Sequence, residues 1–216
     1  MNFSFLRALA LYKADLLYHS RFKRFGAEHK GVHWSSSQEQ KRRFEILCSI
    51  LAGKTTLPDL KIADLGCGYG ALYSHLQSNG FIGQYYGYDR CRSMLSHARK
   101  QFPFKNAHFI KSSKVCEPVH FTIISGCFNL KMNATDEVWW AWVREILSNS
   151  WARSTHGVAF NVLIRTRSSR PLNKLFYTSK KRVMEECTHF TKNIECIPSS
   201  ELPDAHFLLY KTKGSV

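Results

Sequence analysis

Between Leu60 and Ile164 the chain alternates between two hydrophobic periods. Apolar runs of strand length occur at 60–65 (Leu60, Ile62, Ala63, Leu65), 84–89, 107–111, 120–125 and 156–164 (Val158, Phe160, Val162). Stretches with apolar residues at helical spacing lie among them, at 70–78 (Ala71, Leu72, Leu76), 91–101 and 135–152. Such alternation predicts a parallel sheet wound with helices on both faces. An amphipathic helix is expected ahead of it at about 2–19, then a basic connector to His33 and a second helix over 37–52, with Phe44, Leu47, Cys48 and Leu51 on one side. The end of the chain differs. A short helix near 180–190 leads to a strand near 193–198, and a turn through Leu202-Pro203-Asp204 joins it to a strand at 205–211. That hairpin makes the last strand antiparallel. The tryptophans of 135–152 (Trp139, Trp140, Trp142, Trp151) are expected to pack in the core.

The turn after the first strand carries the chemistry. It reads Asp64-Leu65-Gly66-Cys67-Gly68-Tyr69-Gly70 and opens a helix, the arrangement with which α/β folds hold adenosine-containing ligands. Gly66, Gly68 and Ala71 also satisfy a dinucleotide fingerprint. Asp64, however, stands where it would repel a pyrophosphate and would suit an ammonium or sulfonium. The second strand, Tyr85-Tyr86-Gly87-Tyr88, ends in Asp89, which can accept both ribose hydroxyls of a nucleoside. The two acids together favour S-adenosylmethionine.

These residues resemble the class I S-adenosylmethionine-dependent methyltransferases, of small bacterial type. Asp64 to Gly70 is similar to that family's first motif and Gly87-Tyr88-Asp89 to its second. His108-Phe109-Ile110 and the run from His120 to Cys127 resemble its third and fourth strands, and Gly31-Val32-His33-Trp34-Ser35 followed by Arg43-Phe44-Glu45 its leader. The resemblance implies a Rossmann-like fold: a mostly parallel seven-stranded sheet with an antiparallel last strand, helices on both faces and an N-terminal helical lid. Residues 1–55 would be that lid or leader, and 56–216 the cofactor-binding body. One position departs from the family, since Ser112-Ser113 stands where an acid often receives the adenine amino group.

The expected cofactor contacts are Asp64, Gly66, Cys67, Gly68 and Gly70 to the methionine portion, and Asp89 with Arg90 at the ribose. Ser112 and Ser113 would meet the adenine, with Gly126, Cys127 and Phe128 at the carboxyl edge of the sheet. Arg43 is read as a fork for the cofactor carboxylate and Trp34 as part of a cover. His33 is the candidate base, and Asn129, counted with it as catalytic, a contact to the acceptor amine or to the cofactor. Tyr12, Asn161, Arg165 and Tyr177 are candidates for the acceptor pocket.

Composition narrows the partners. Seven scattered cysteines without a Cys-x-x-Cys pair suggest neither a disulfide framework nor a metal site. Arg7, Lys13 and Asp15 interrupt the apolar stretch 3–17, so neither a signal peptide nor a membrane partner is expected, and the location is read as cytoplasmic. The net charge of +15 is dispersed through Arg21–Arg24, Lys41–Arg43, Arg165–Lys174 and Lys180–Arg182. It raises RNA or protein as an alternative acceptor, but no nucleic-acid module is added to the core. A small molecule methylated at nitrogen or oxygen is the expected acceptor. A second alternative uses S-adenosylmethionine without methyl transfer, as a cyclase, lyase or binder.

Overall fold

A computed structural model describes residues 3–165, 172–199 and 201–211. Most of the basic run 165–174 therefore lies outside the described residues. The elements, in chain order, are α1 (Phe3–Phe25), α2 (Ser37–Cys48), β1 (Lys61–Leu65), α3 (Ala71–Ser78), β2 (Gln84–Asp89), α4 (Arg92–Gln101), β3 (Ala107–Lys111), β4 (Val119–Ile124), α5 (Asp136–Arg153), β5 (Ser154–Leu163), α6 (Lys180–Cys187), β6 (Ile194–Pro198) and β7 (Asp204–Tyr210). The sheet order is β3-β2-β1-β4-β5-β7-β6. Every pairing is parallel except those of β7, which runs antiparallel to both β5 and β6. The chain reverses its direction of travel across the sheet between β1 and β4, which opens a crevice at their carboxyl ends.

Two apolar layers sandwich the sheet. On one side Phe44 and Leu47 of α2 pack with Leu72, Tyr73 and Leu76 of α3 and Leu95 of α4. On the other, Trp139, Trp140, Val143 and Leu147 of α5 meet Phe128, Phe160 and Phe207. Local chemistry sets the ends of the helices. Ser36 accepts from the Glu39 amide at the start of α2, and Thr135 from the Val138 amide at the start of α5. Helix α1 runs further than the sequence pattern suggests: Arg21-Phe22-Lys23-Arg24, expected in a connector, forms its last turns. Lys23 and Arg24 there face the negative end of the helix dipole, and Gly26, at φ 69°, ends the element.

The β3–β4 connection, residues 112–118, carries no helix. It is pinned instead by Asn149 of α5, which accepts from the Val115 amide at 2.8 Å and donates to its carbonyl at 3.3 Å. Helix α1 starts over this flank, where Arg7 pairs with Glu145 at 2.7 Å, and Lys114 reaches the same carboxylate. It then crosses the carboxyl edge of the sheet to α4, joined by Asp15 to Arg90 at 2.7 Å, while His19 Nδ1 lies 3.2 Å from Ser93 Oγ.

Candidate active site

Beneath α1, at the carboxyl ends of β1, β2 and β4, lies a cavity of about 480 Å³. The glycine turn forms its floor. Gly66 and Gly68 adopt φ of 82° and 55°, open to glycine but strained for other residues. A Cβ on Gly66 would lie 2.0 Å from the Cys127 sulfur, so the turn and the loop after β4 are in direct contact. Three bonds tie the turn to β2: Gly66 and Cys67 amides donate to the Tyr88 carbonyl, and the Gly68 amide to Asp89 Oδ2 at 2.8 Å. Asp89 Oδ1 takes the Cys91 amide at 2.7 Å. Asp89 therefore organises the turn with both of its oxygens.

Asp64 lies buried at the end of β1 and accepts a 2.6 Å bond from the Tyr85 hydroxyl. Burial pushes its carboxyl up to about 7, the tyrosine bond working against this and Asp89 adding to it. A cation entering the cavity would restore the ionised form. Burial likewise raises Asp89, against the pull of its backbone donors.

Three buried polar atoms of the wall have no hydrogen-bond partner: His33 Nε2, Ser125 Oγ and Asn129 Oδ1. Unpaired groups of this kind are costly unless a ligand or water meets them. His33 sits at φ 66°, in the left-handed region, where the chain leaves a short 3-10 turn. Burial, then Arg21 and Lys174, lowers its imidazole from 6.5 to about 4, so it stands neutral at pH 7. The Tyr18 ring of α1 meets it edge-on, with centroids 6.0 Å apart.

Residues 63–143 match the family model described as a methyltransferase domain. A curated Mycobacterium tuberculosis protein, Putative methyltransferase Rv1506c, is 29% identical over 153 residues, which span 69% of this chain and 92% of that protein. Residues 63–143 thus carry a methyltransferase domain, and the fold is that of the class I S-adenosylmethionine-dependent methyltransferases. Among solved structures, magnesium protoporphyrin IX methyltransferase from Synechocystis PCC 6803 with bound SAH shares the fold, with a TM-score of 0.63, 12% identity and coverage of 89% of this chain and 94% of that one. Precorrin-6y C5,15-methyltransferase from Geobacter metallireducens is similar at a TM-score of 0.51 and 14% identity, over 78% of this chain and 88% of that one. The cofactor of this methyltransferase is S-adenosylmethionine. The cavity suits it: the carboxyls of Asp64 and Asp89 line it, and unpaired polar atoms stand in the wall.

The methyltransferase cavity gathers many of the expected residues: His33, Trp34, Arg43, Asp64, Gly66, Cys67, Gly68, Asp89, Arg90, Ser112, Ser113, Gly126, Cys127, Asn129 and Tyr177 all line it. Others are placed elsewhere. Tyr12 points outward from α1, 58% exposed, and Arg165 is exposed outside the cavity. Phe128 faces the core, edge-on to Trp142 and Phe160. Gly70, at φ 89°, starts α3 against Phe102, where a Cβ would come within 2.8 Å.

Arg43, in the cavity wall, commits its donors to a buried network that also holds Asn161 behind the wall. Arg43 Nη2 donates to Asp204 at 2.9 Å, Nε to the same carboxylate, and Nη1 to Glu39. Its guanidinium also stacks over Trp34, 4.3 Å from the ring centroid. Asn161 donates to Asp204 and accepts from the Gly126 amide at 2.8 Å. Trp34 in turn closes on Gly126, leaving no room for a Cβ. Sequence reasoning missed Asp204, Tyr18 and the tryptophan pair Trp139 and Trp142, which also line or brace the cavity. The only available signal was the second apolar side of α1 (Leu11, Ala14, Tyr18) and the tryptophan spacing on α5.

Proposed function

We propose that this methyltransferase acts on a small, largely apolar acceptor, at nitrogen or oxygen, with His33 taking the proton. The carrying observation is the unpaired His33 Nε2, neutral at pH 7, in a cavity closed by α1 and walled by Leu11, Leu130, Trp142, Ile146 and Leu175. Asp64 would hold the cationic end of the cofactor, the Gly66–Gly68 backbone its methionine portion, Asp89 the ribose and Ser112–Ser113 the adenine. When bound, S-adenosylmethionine supplies a methyl group already activated on a sulfonium. Positioning the nucleophile in line with that carbon then supplies most of the rate. Asn129 Oδ1 orients the acceptor N–H or O–H, and His33 removes its proton as the nucleophile commits its lone pair. The apolar wall excludes water and favours an acceptor with little charge of its own.

Incubation with methyl-labelled cofactor and a cell extract, separated into metabolite, RNA and protein fractions, tests the reading. Label is expected in the metabolite fraction, with S-adenosylhomocysteine as co-product. Label confined to RNA or protein would overturn the small acceptor, and methylthioadenosine as product would overturn methyl transfer.

A further inference from the structure

We propose that the outer face of α1 seats this methyltransferase on an anionic membrane surface. Phe5, Leu9, Tyr12 and Leu16 recur at helical spacing and are 63%, 38%, 58% and 51% exposed. At 100° per residue they fall within a stripe roughly 60° wide. The opposite side of the same turns is already in use: Ala10 and Ala14 are buried, and Leu6 and Leu11 pack on the core. A helix apolar on both sides needs a second apolar contact.

Charge chooses the occupant. Asp15 is the one acid of α1, and it is tied to Arg90. Of the basic residues, Arg7 is held by Glu145, whereas Lys23 and Arg24 are exposed beyond the stripe and Lys13 lies beside it. With a chain charge of +15, a second copy would meet this face with like charge, whereas acidic lipid headgroups would attract it. Among the described residues no helix is long and apolar enough to cross a membrane, so α1 lies in the plane of the interface. Its four apolar side chains enter the headgroup boundary, and its basic residues meet lipid phosphates. The inner face of the same helix lines the cavity through Leu11, Ala14 and Tyr18. Leu172, 55% exposed, also belongs to the cavity wall. An apolar acceptor dissolved in lipid thus meets the enzyme at the helix that covers its site.

Flotation with vesicles of phosphatidylcholine, alone or mixed with phosphatidylglycerol, tests this with the full chain. The protein is expected to float with the anionic vesicles and to be released by high salt. The double variant Leu9→Glu, Leu16→Glu is expected to lose at least about tenfold in vesicle affinity. Lys13→Gln with Lys23→Gln is expected to lose about 25-fold, about fivefold per lysine removed. Both should keep S-adenosylmethionine affinity, which shows that they fold. No flotation of the unaltered protein, or equal flotation of all three, overturns the proposal. So does a dimer in solution that Leu9→Glu, Leu16→Glu dissociates while vesicles bind nothing, since the occupant is then a second copy.

Discussion

Asp64, proposed to hold the cationic end of the cofactor, is expected to set the pH dependence of its binding. Its folded carboxyl titrates near 7, above the ordinary 3.8, so its contribution to apo stability is full below 3.8 and is lost as pH rises through about 7. A cationic ligand needs the ionised form. Binding of S-adenosylmethionine should therefore tighten as pH rises toward 7 and release a proton below it. Calorimetry in buffers of different ionisation enthalpy should detect that proton, and Asp64→Asn should abolish it. His33 runs the other way: lowered to about 4, it stays a proton acceptor down to mildly acid pH. His33→Gln is expected to lower kcat by about 10²-fold with little change in cofactor affinity, as stopped assays and equilibrium binding can separate. Residues at the turn were legible because motif spacing and backbone geometry are local. The pairing of Arg43 with Asp204 was not legible, because the two lie 161 positions apart.

The elements around the site are braced by one buried polar network. Arg43 of α2 and Asp204 of β7 are 2% and 3% exposed, so truncating Arg43 strips Asp204 of its guanidinium and truncating Asp204 leaves Arg43 with Glu39 alone. Arg43→Ala or Asp204→Ala should cost about 3–5 kcal/mol in denaturant unfolding, while a double replacement by apolar residues should recover much of it. Asn161→Ala leaves the Gly126 amide unpaired, at a cost of about 1–3 kcal/mol. Because it frees the loop that carries Cys127 and Asn129, it should raise KM or lower kcat beyond its effect on stability. The strand–helix alternation from β1 to β5 was readable from apolar period alone, to within about two residues. The path of α1 over the cavity was not, since an amphipathic pattern marks which side is buried but not against what.

At the scale of the molecule, a charge of +15 repels itself in the folded state. Raising salt from a few millimolar to ~0.15 M should lift Tm by roughly 2–4 °C through screening. A Tm that does not move would mean that the ion pairs Arg7–Glu145, Arg90–Asp15 and Arg144–Glu186 already balance the surface locally. The sequence by itself determined the doubly wound sheet, the antiparallel end and the glycine turn with its two acids. Periodicity, turn chemistry and charge next to a strand end act over a few residues and leave their mark in order along the chain. Only the tertiary structure decided that α1 roofs the cavity, that His33 Nε2 and Asn129 Oδ1 are left without partners, and that Arg43 belongs to Asp204. Those facts depend on which distant side chains exclude water together, and burial of that kind has no local spelling.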